Sequence, residues 1–375
     1  MQSASDKSSK KTWKEVNKEF KERRKKWREQ RLIKTAKRKE EKQKKDEEQR
    51  SADTNSSSKI NNLSTISIAV PGSILENAQS AELRTYLAGQ IARAACIYKI
   101  DEIVVFDDRG PQEKTDEYAL DEARPSCLQL ARILQYLECP QYLRKYFFPL
   151  HKDLQFAGLL NPLDAPHHLR QQDVSEYREG VVSNKPLKAG KGSLVNVGLL
   201  QDVRVDKVLT SNIRVTVKIL EEDGNSNKLK GIIVPPSLPR AETGIYWGYT
   251  VRLANSLSDI FVKCPYSGGY DLLIGTSDKG TSIDDIEGKS CTYKHGLIVF
   301  GGLAGIEEAI EADSNFNVDD PSLIFDLYLN VCPQQGSRTI RTEEAILLTL
   351  AELRTKIVPQ FPPAFHPQFS HAKNL

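Results

Sequence analysis

The sequence predicts an α/β fold interrupted by a small inserted β-barrel, and three observations carry that expectation. Ile66, Ile68 and Val70 alternate as in a strand, helix-spaced apolar residues follow, and the continuous run Ile103-Val104-Val105-Phe106 closes a β-α-β unit. Between about 176 and 240 the texture changes to short alternating runs punctuated by Gly, Asp, Asn and Pro. After Thr243 near-continuous apolar strands return, as a parallel sheet covered on both faces requires. A chain of 375 residues has room for both parts and for tails.

Taken in order, residues 1–50 form a basic arm. They hold 20 Lys and Arg against 10 Asp and Glu, whereas the other 325 residues hold 33 against 40. Such a block binds polyanions, because neutralised phosphates release condensed counterions. Residues 13–49 lack Pro and Gly and suit a helix, on which Trp13, Phe20 and Trp27 would share a stripe, but few of them could form a core. The arm is therefore expected to be a solvated helix or disordered. Residues 51–62 are Ser- and Asn-rich and read as a linker.

The first folded part spans 63–175. Its opening strand ends at Pro71-Gly72, and a helix over 81–98 places Leu83, Leu87, Ile91, Ala94 and Ala95 at helical spacing. The next strand stops at Asp107-Asp108, and a second helix is expected over 126–137. The barrel insertion spans 176–240, with strands at Gly180-Val181-Val182, Leu194-Val195-Asn196-Val197, Val203-Arg204-Val205, 213–217 and Ile232-Ile233-Val234, an arrangement of OB type. The last part spans 241–357, with strands expected at 246–254, 271–275, 296–300 and 325–331 and a final helix over 342–353, before a tail at 358–375.

Composition excludes several classes. With 39% hydrophobic and 27% charged residues the chain reads as soluble and globular, and no run of eighteen apolar residues suggests a membrane span. The N-terminus lacks an apolar signal region, which points to the cytosolic or nuclear side. The six cysteines form no CxxC pair, so neither a zinc site nor a disulfide framework is expected. Gly288-Lys289-Ser290 lacks the leading glycine of a phosphate loop, since Ile283 stands there. No GxGxxG or GxSxG occurs, and His167-His168 has no third ligand at metal spacing, so no metal is expected.

Three loops remain, each after an apolar strand: Gly275-Thr276-Ser277, Gly301-Gly302-Leu303-Ala304-Gly305, and the run from Cys332 to Thr339. Ligands of open parallel sheets sit beyond the carboxyl ends of strands, and glycine lets main chain approach them closely. From spacing alone, adenosine-binding loops and plain tight turns are equally good readings. The run Gly336-Ser337-Arg338-Thr339-Ile340-Arg341-Thr342-Glu343-Glu344 is dense in polar function for a connector. Thr342 can cap the following helix and Glu343 and Glu344 suit its positive end, but the arginines have no such role.

These motifs resemble the eukaryotic and archaeal SPOUT-type RNA methyltransferases, most closely the animal branch associated with kinetochore and spindle. The likeness rests on the 301–305 loop, Asn330-Val331-Cys332-Pro333 and the run from Gly336 to Ala345. It is supported by Pro71-Gly72-Ser73-Ile74-Leu75, by 83–93, by Leu134-Gln135-Tyr136-Leu137-Glu138-Cys139-Pro140 and by 158–164, and it covers about 63–357. The resemblance implies a SPOUT-type α/β fold whose C-terminal segment threads a loop as a trefoil knot, an exception to the rule against knots. It implies S-adenosylmethionine as cofactor, held by Thr276, Ser277, Lys279, Gly301, Gly302, Gly305, Asn330, Val331, Pro333, Gly336, Ser337, Thr339 and Ile340.

The same resemblance implies a homodimer and an RNA substrate, for this branch a uridine N3 of large-subunit ribosomal RNA. It further implies a nuclear, nucleolar and cytoplasmic location, with spindle, centrosome or kinetochore partners in mitosis. Methyl transfer from a sulfonium is an in-line displacement, so positioning dominates. Uridine N3 must lose its proton, and Arg84 or Arg338 would stabilise the resulting anion. Glu344 is a candidate base, with helix capping an equal alternative role. The rivals are a non-catalytic scaffold docking through Trp13, Phe20 and Trp27, and an RNA-binding module using the barrel.

Overall fold

The computed structural model describes residues 63–110, 123–185, 192–220, 229–316 and 320–363; the arm with Trp13, Phe20 and Trp27 and the linker at 51–62 lie outside them. Apolar runs become strands of one parallel sheet. In it lie β1 (Thr65–Pro71), β2 (Glu102–Phe106), β8 (Thr250–Ala254), β9 (Leu272–Ser282), β11 (His295–Val299) and β12 (Leu327–Asn330). The order is β12-β9-β11-β1-β2-β8, with every neighbouring pair parallel. Every residue of β2 is buried, as a strand covered on both faces must be.

Successive side chains point to opposite faces, so the sheet feeds two cores. On one face Ile68, Val70, Ile103, Val105 and Ile298 meet Ile91 of α1 (Ala81–Ile97), Leu134 of α2 (Pro125–Glu138) and Ile346 and Leu350 of α7 (Thr342–Leu353). Ser80 caps α1 by accepting the Leu83 N–H at 3.3 Å, and Pro125 opens α2, where a missing N–H costs nothing. A short helix α3 (Gln141–Phe147) follows, and α4 (Leu238–Thr243) leads out of the barrel. On the other face Ala69, Val104, Phe106, Leu297 and Val299 meet Leu257 and Ile260 of α5 (Leu257–Val262) and Ile306 and Ile310 of α6 (Ile306–Glu311). The chain then runs through α7 (Thr342–Leu353), which packs on α1. No helix among the described residues is long and apolar enough to cross a membrane.

The short alternating runs close into a separate barrel. β3 (Tyr177–Val182), β4 (Ser193–Asn196), β5 (Val203–Val205), β6 (Arg214–Ile219) and β7 (Lys230–Val234) pair in the closed order β3-β4-β5-β7-β6, and β5–β7 is its one parallel pair. Val182, Val195, Val197, Val203, Val205 and Val217 form its core. Valine at every second position suits a small barrel, since a stiff side chain fills the interior with little entropy to lose.

Barrel and sheet layer are joined by a buried ionic cluster. Glu138, the last residue of α2, accepts Arg214 Nη1 and Nη2 at 2.6 and 2.9 Å and lies 3.0 Å from His167 Nε2. Arg214 also donates Nε to Glu179 at 2.8 Å, and the second Glu179 oxygen accepts Thr216 Oγ1 and Trp247 Nε1. His167 and His168 both donate to the Glu138 carbonyl, which is the role this histidine pair plays. Burial alone would raise the Glu138 carboxyl, but the hydrogen bonds from His167 and Arg214 outweigh it and hold it at about 2. Burial lowers His168 to about 4, keeping it neutral. Among the described residues no group of three or more His, Cys, Asp and Glu could hold a metal, and the six cysteines are free thiols.

Three sequence expectations need correction. The strand expected at 246–254 begins only at Thr250. Tyr246, Trp247 and Tyr249 are buried instead, donating to Ile100 O, Glu179 and Leu134 O, and Gly248 between them has φ +90° and lies where a Cβ would be 2.6 Å from Glu138 Oε1. The strand expected at 271–275 runs on to Ser282 as β9, because β12 offers it further partners. The tail at 358–375 starts too early: β13 (Ile357–Pro359) pairs with β10 (Cys291–Tyr293), and Ser64 N–H donates to Phe361 O.

Arg214→Met strands two buried carboxylates and is expected to cost ~3–5 kcal/mol at neutral pH. The lowered Glu138 pKa gives stability that is present above the ordinary carboxylate range and lost as pH falls toward about 2. Urea denaturation of wild type and variant should therefore converge on acidification, and a neutral-pH difference below ~1 kcal/mol would contradict the cluster's role.

Candidate functional site

Because β12, β9 and β11 are parallel neighbours, their carboxyl ends bring the three sequence-predicted loops together at one edge. Hydrogen bonds stitch them. Thr276 Oγ1 donates to Val299 O at 3.1 Å, Asn330 Nδ2 donates to Asp278 O at 2.9 Å, and Thr342 Oγ1 donates to Gly301 O at 3.0 Å. The first loop is an excursion within a strand: Gly275 pairs with Tyr328 and Thr281 with Leu329, so residues 276–280 bulge out between consecutive partners. Lys279, on this bulge, is exposed and ion-paired to Glu307 at 3.0 Å, and Ser277 Oγ accepts the Lys279 N–H.

The second loop is folded tightly on itself. Gly302 and Gly305 form an isolated bridge with Gly305 N–H on Gly302 O at 3.2 Å, and Gly305 has φ +90°. A Cβ on Gly301 would lie 2.5 Å from Gly305 C, and one on Gly302 would lie 2.9 Å from Asp108 Oδ2 and 3.1 Å from Ser73 Oγ. Only glycine permits these approaches.

In the third loop Asn330 Oδ1 accepts the Cys332 N–H at 3.1 Å and Ser337 Oγ donates to Thr339 O at 2.8 Å, so side chains shape the turn. Val331, Pro333 and Ile340 are half-buried, whereas Gly336, Ser337, Arg338 and Thr339 are exposed.

The helix start differs from the expected cap. Arg341 occupies the cap position, Thr342 spends its hydroxyl on Gly301 O, and exposed Glu344 accepts the Arg341 N–H at 3.0 Å. Glu344 thus serves the helix end. Arg84, in the first turns of α1, donates Nε to Ala78 O at 3.5 Å.

Sequence reasoning missed a pair beneath the glycine loop. Ser73, just after β1, donates Oγ to Asp108 Oδ2 at 2.5 Å, and Asp108, just after β2, is 3% exposed. Asp108 Oδ1 is buried with no hydrogen-bond partner among the described residues. Burial raises the Asp108 pKa against the opposing Ser73 bond. Its neighbour Asp107 is instead neutralised by Arg124 at 2.8 Å. An acid ending an apolar strand beside the sheet's switch point was the available signal. An unspent buried carboxylate oxygen next to a glycine cradle suits a cationic ligand held by main chain.

Residues 65–353 match the family described as "Putative RNA methyltransferase". The chain belongs to this family. A Drosophila melanogaster 28S rRNA (uridine-N(3))-methyltransferase is 53% identical over 360 residues, covering 93% of this chain and 74% of that protein. Proteins of the same name from Mus musculus and Homo sapiens are 57% and 55% identical, covering 77% and 78% of this chain and 76% and 79% of their own lengths. The family match spans all three loops and both Ser73 and Asp108.

For this RNA methyltransferase the raised Asp108 pKa has a direct consequence. Its contribution to stability is present below the ordinary carboxylate range and lost as pH rises through the raised folded value. Asp108→Asn is expected to be the more stable protein at mildly alkaline pH and to lose that advantage in acid. Urea midpoints at the two pH values test this, and a pH-independent difference would refute it.

Proposed function

We propose that the chain methylates N3 of a uridine in large-subunit ribosomal RNA, using S-adenosylmethionine. The observation that carries this reading is the overall identity of more than half to three 28S rRNA (uridine-N(3))-methyltransferases. The cofactor supplies an electrophilic methyl on a sulfonium. Main chain around Thr276, Ser277, Gly301, Gly302, Gly305, Asn330, Val331 and Pro333 would hold its adenosine, with Gly336, Ser337, Thr339 and Ile340 closing over it and Lys279 at the rim. The orphaned Asp108 oxygen and the Gly302 cradle fit a cationic donor of this kind. Arg338, exposed on the third loop and without an ion pair among the described residues, would stabilise the N3 anion; Arg84 is the alternative. With Glu344 committed to the helix end, the N3 proton leaves to water.

The fold reading goes with it. A SPOUT-type knot is supported by the Thr342–Gly301 bond, which pins the segment after β12 across the loop after β11 before α7 turns back to pack on α1. The barrel's strand order supports an OB-type RNA-binding insertion. A second copy of the chain covers the face of α1 and α7, where Leu83, Tyr86, Ile97 and Leu347 are between 45% and 53% exposed.

Calorimetric titration of S-adenosylmethionine should give micromolar binding that Gly302→Arg abolishes, and digestion of a treated 28S rRNA fragment should yield N3-methyluridine. Binding retained in Gly302→Arg would overturn the site assignment, and no binding to folded wild type would favour a scaffold. Leu347→Asp should run as a single protomer in light scattering, where an unchanged mass would move the interface elsewhere.

A further inference from the structure

A second concave surface lies away from the three loops. It is an open groove of about 670 Å³ where α2 ends, α3 crosses and the chain continues to Ala157, lined among others by Tyr136, Arg144, Lys145, Phe148 and Lys152. Local structure builds it. α2 stops at Cys139-Pro140, and Arg144 on α3 reaches back to donate Nε to Cys139 O at 3.0 Å and Nη2 to Leu137 O at 3.3 Å, satisfying the last carbonyls of α2. The guanidinium is thereby laid over the Tyr136 ring at 4.4 Å, and Phe148 meets the same ring edge-on at 5.5 Å. Two rings and a guanidinium plane stand fixed and partly exposed, so little ordering is required of them on binding.

The charge around this cluster is one-sided. Asp153 is the only carboxylate between 141 and 157, and Arg132 and His151 are its partners. Lys145 and Lys152 are exposed, and neither has an ion pair among the described residues. Leu150 is fully exposed at the lip. The cluster is anchored to the barrel: Tyr142 of α3 donates its hydroxyl to Glu179 O at 2.7 Å, and a Cβ on Gly198 would lie 2.8 Å from the Tyr142 ring.

Stacking surfaces bordered by cations without ion pairs, of which Lys145 lies over the Tyr146 ring at 5.0 Å, are what an unpaired nucleic-acid strand requires, the rings and guanidinium taking bases and the lysines phosphates. An acidic peptide would need the cations but not the aromatic faces. We infer that this groove binds an unpaired stretch of the RNA substrate, with a base on the Tyr136–Phe148–Arg144 cluster and adjacent phosphates on Lys145 and Lys152. The inference rests on the RNA methyltransferase reading and adds a grip remote from the cofactor loops. Holding a flanking strand there keeps the acceptor nucleotide extruded while methyl transfer proceeds elsewhere.

The test uses the full chain and a short oligouridine carrying 4-thiouridine, photocrosslinked and mapped by mass spectrometry, with affinity read by fluorescence anisotropy. Crosslinks should fall within residues 132–157. Lys145→Glu with Lys152→Glu should lose about tenfold or more in affinity, and the slope of log affinity against log salt should shrink by ~1.4, two single-strand phosphate contacts. Phe148→Ala should weaken binding by roughly five- to a hundredfold with the slope retained. Both variants should bind S-adenosylmethionine normally, showing that they are folded. Crosslinks confined to other residues, or wild-type RNA affinity in both variants, would overturn the groove while leaving the methyltransferase reading intact. Absence of RNA binding by the wild type would remove both.

Discussion

A single buried carboxylate, Glu138, sets the frame for the rest of the molecule. It closes α2, the helix that packs across the central strands, and it is 7% exposed, so its charge survives only with partners. Those partners come from far along the chain: Arg214 from the barrel and His167 from the segment before it. Satisfying Glu138 therefore fixes the barrel against the sheet layer. The same demand spreads outward, since Arg214 also holds Glu179, Glu179 holds Trp247, and the backbone that precedes β8 passes Glu138 at Gly248, where only glycine leaves room. Replacing such a cluster with apolar residues need not cost stability, so its value here is geometric: it defines one barrel orientation.

At the sheet's edge the same physics is left unfinished. Asp108 is buried like Glu138 but has only Ser73, and one of its oxygens has no partner among the described residues. A protein tolerates such a group where a ligand completes it, at some expense in stability. Its place under Gly302, among loops tied by Thr276, Asn330 and Thr342, makes the edge a preformed cradle in which the main chain is already ordered. The two ends of α2 meet different surroundings: its N-terminal Cys127 lies against Gly72, and its C-terminal carbonyls hold Arg144.

Much of this was legible residue by residue. The helical spacing of Leu87, Ile91, Ala94 and Ala95, and the valine alternation from Val195 to Val217, follow directly from which face each side chain buries, whereas Leu83, expected on the same stripe, is 51% exposed. The three loops were visible because apolar strands ended in glycine and polar residues. What escaped were outcomes set by partners distant in sequence. The extension of β9 needs β12, and Thr342 looked like a helix cap because its real acceptor, Gly301 O, is 41 residues away. Glu344 looked available until Arg341 took the cap position. Asp108 read as the polar end of a strand, since its burial depends on Ser73 and the 301–305 loop, 35 residues before it and nearly 200 after.

The sequence by itself determined the element types, the insertion of a valine-cored barrel into an α/β layer, the glycine loops and the family to which they point, because periodicity, turn chemistry and motif order are local properties of the chain. The tertiary structure alone decided which loops share an edge, which carboxylates are paired and which is left open, and that Arg144 lies over Tyr136. These depend on strand order and on desolvation, and a charge's surroundings in a folded protein are supplied by residues that no local window contains.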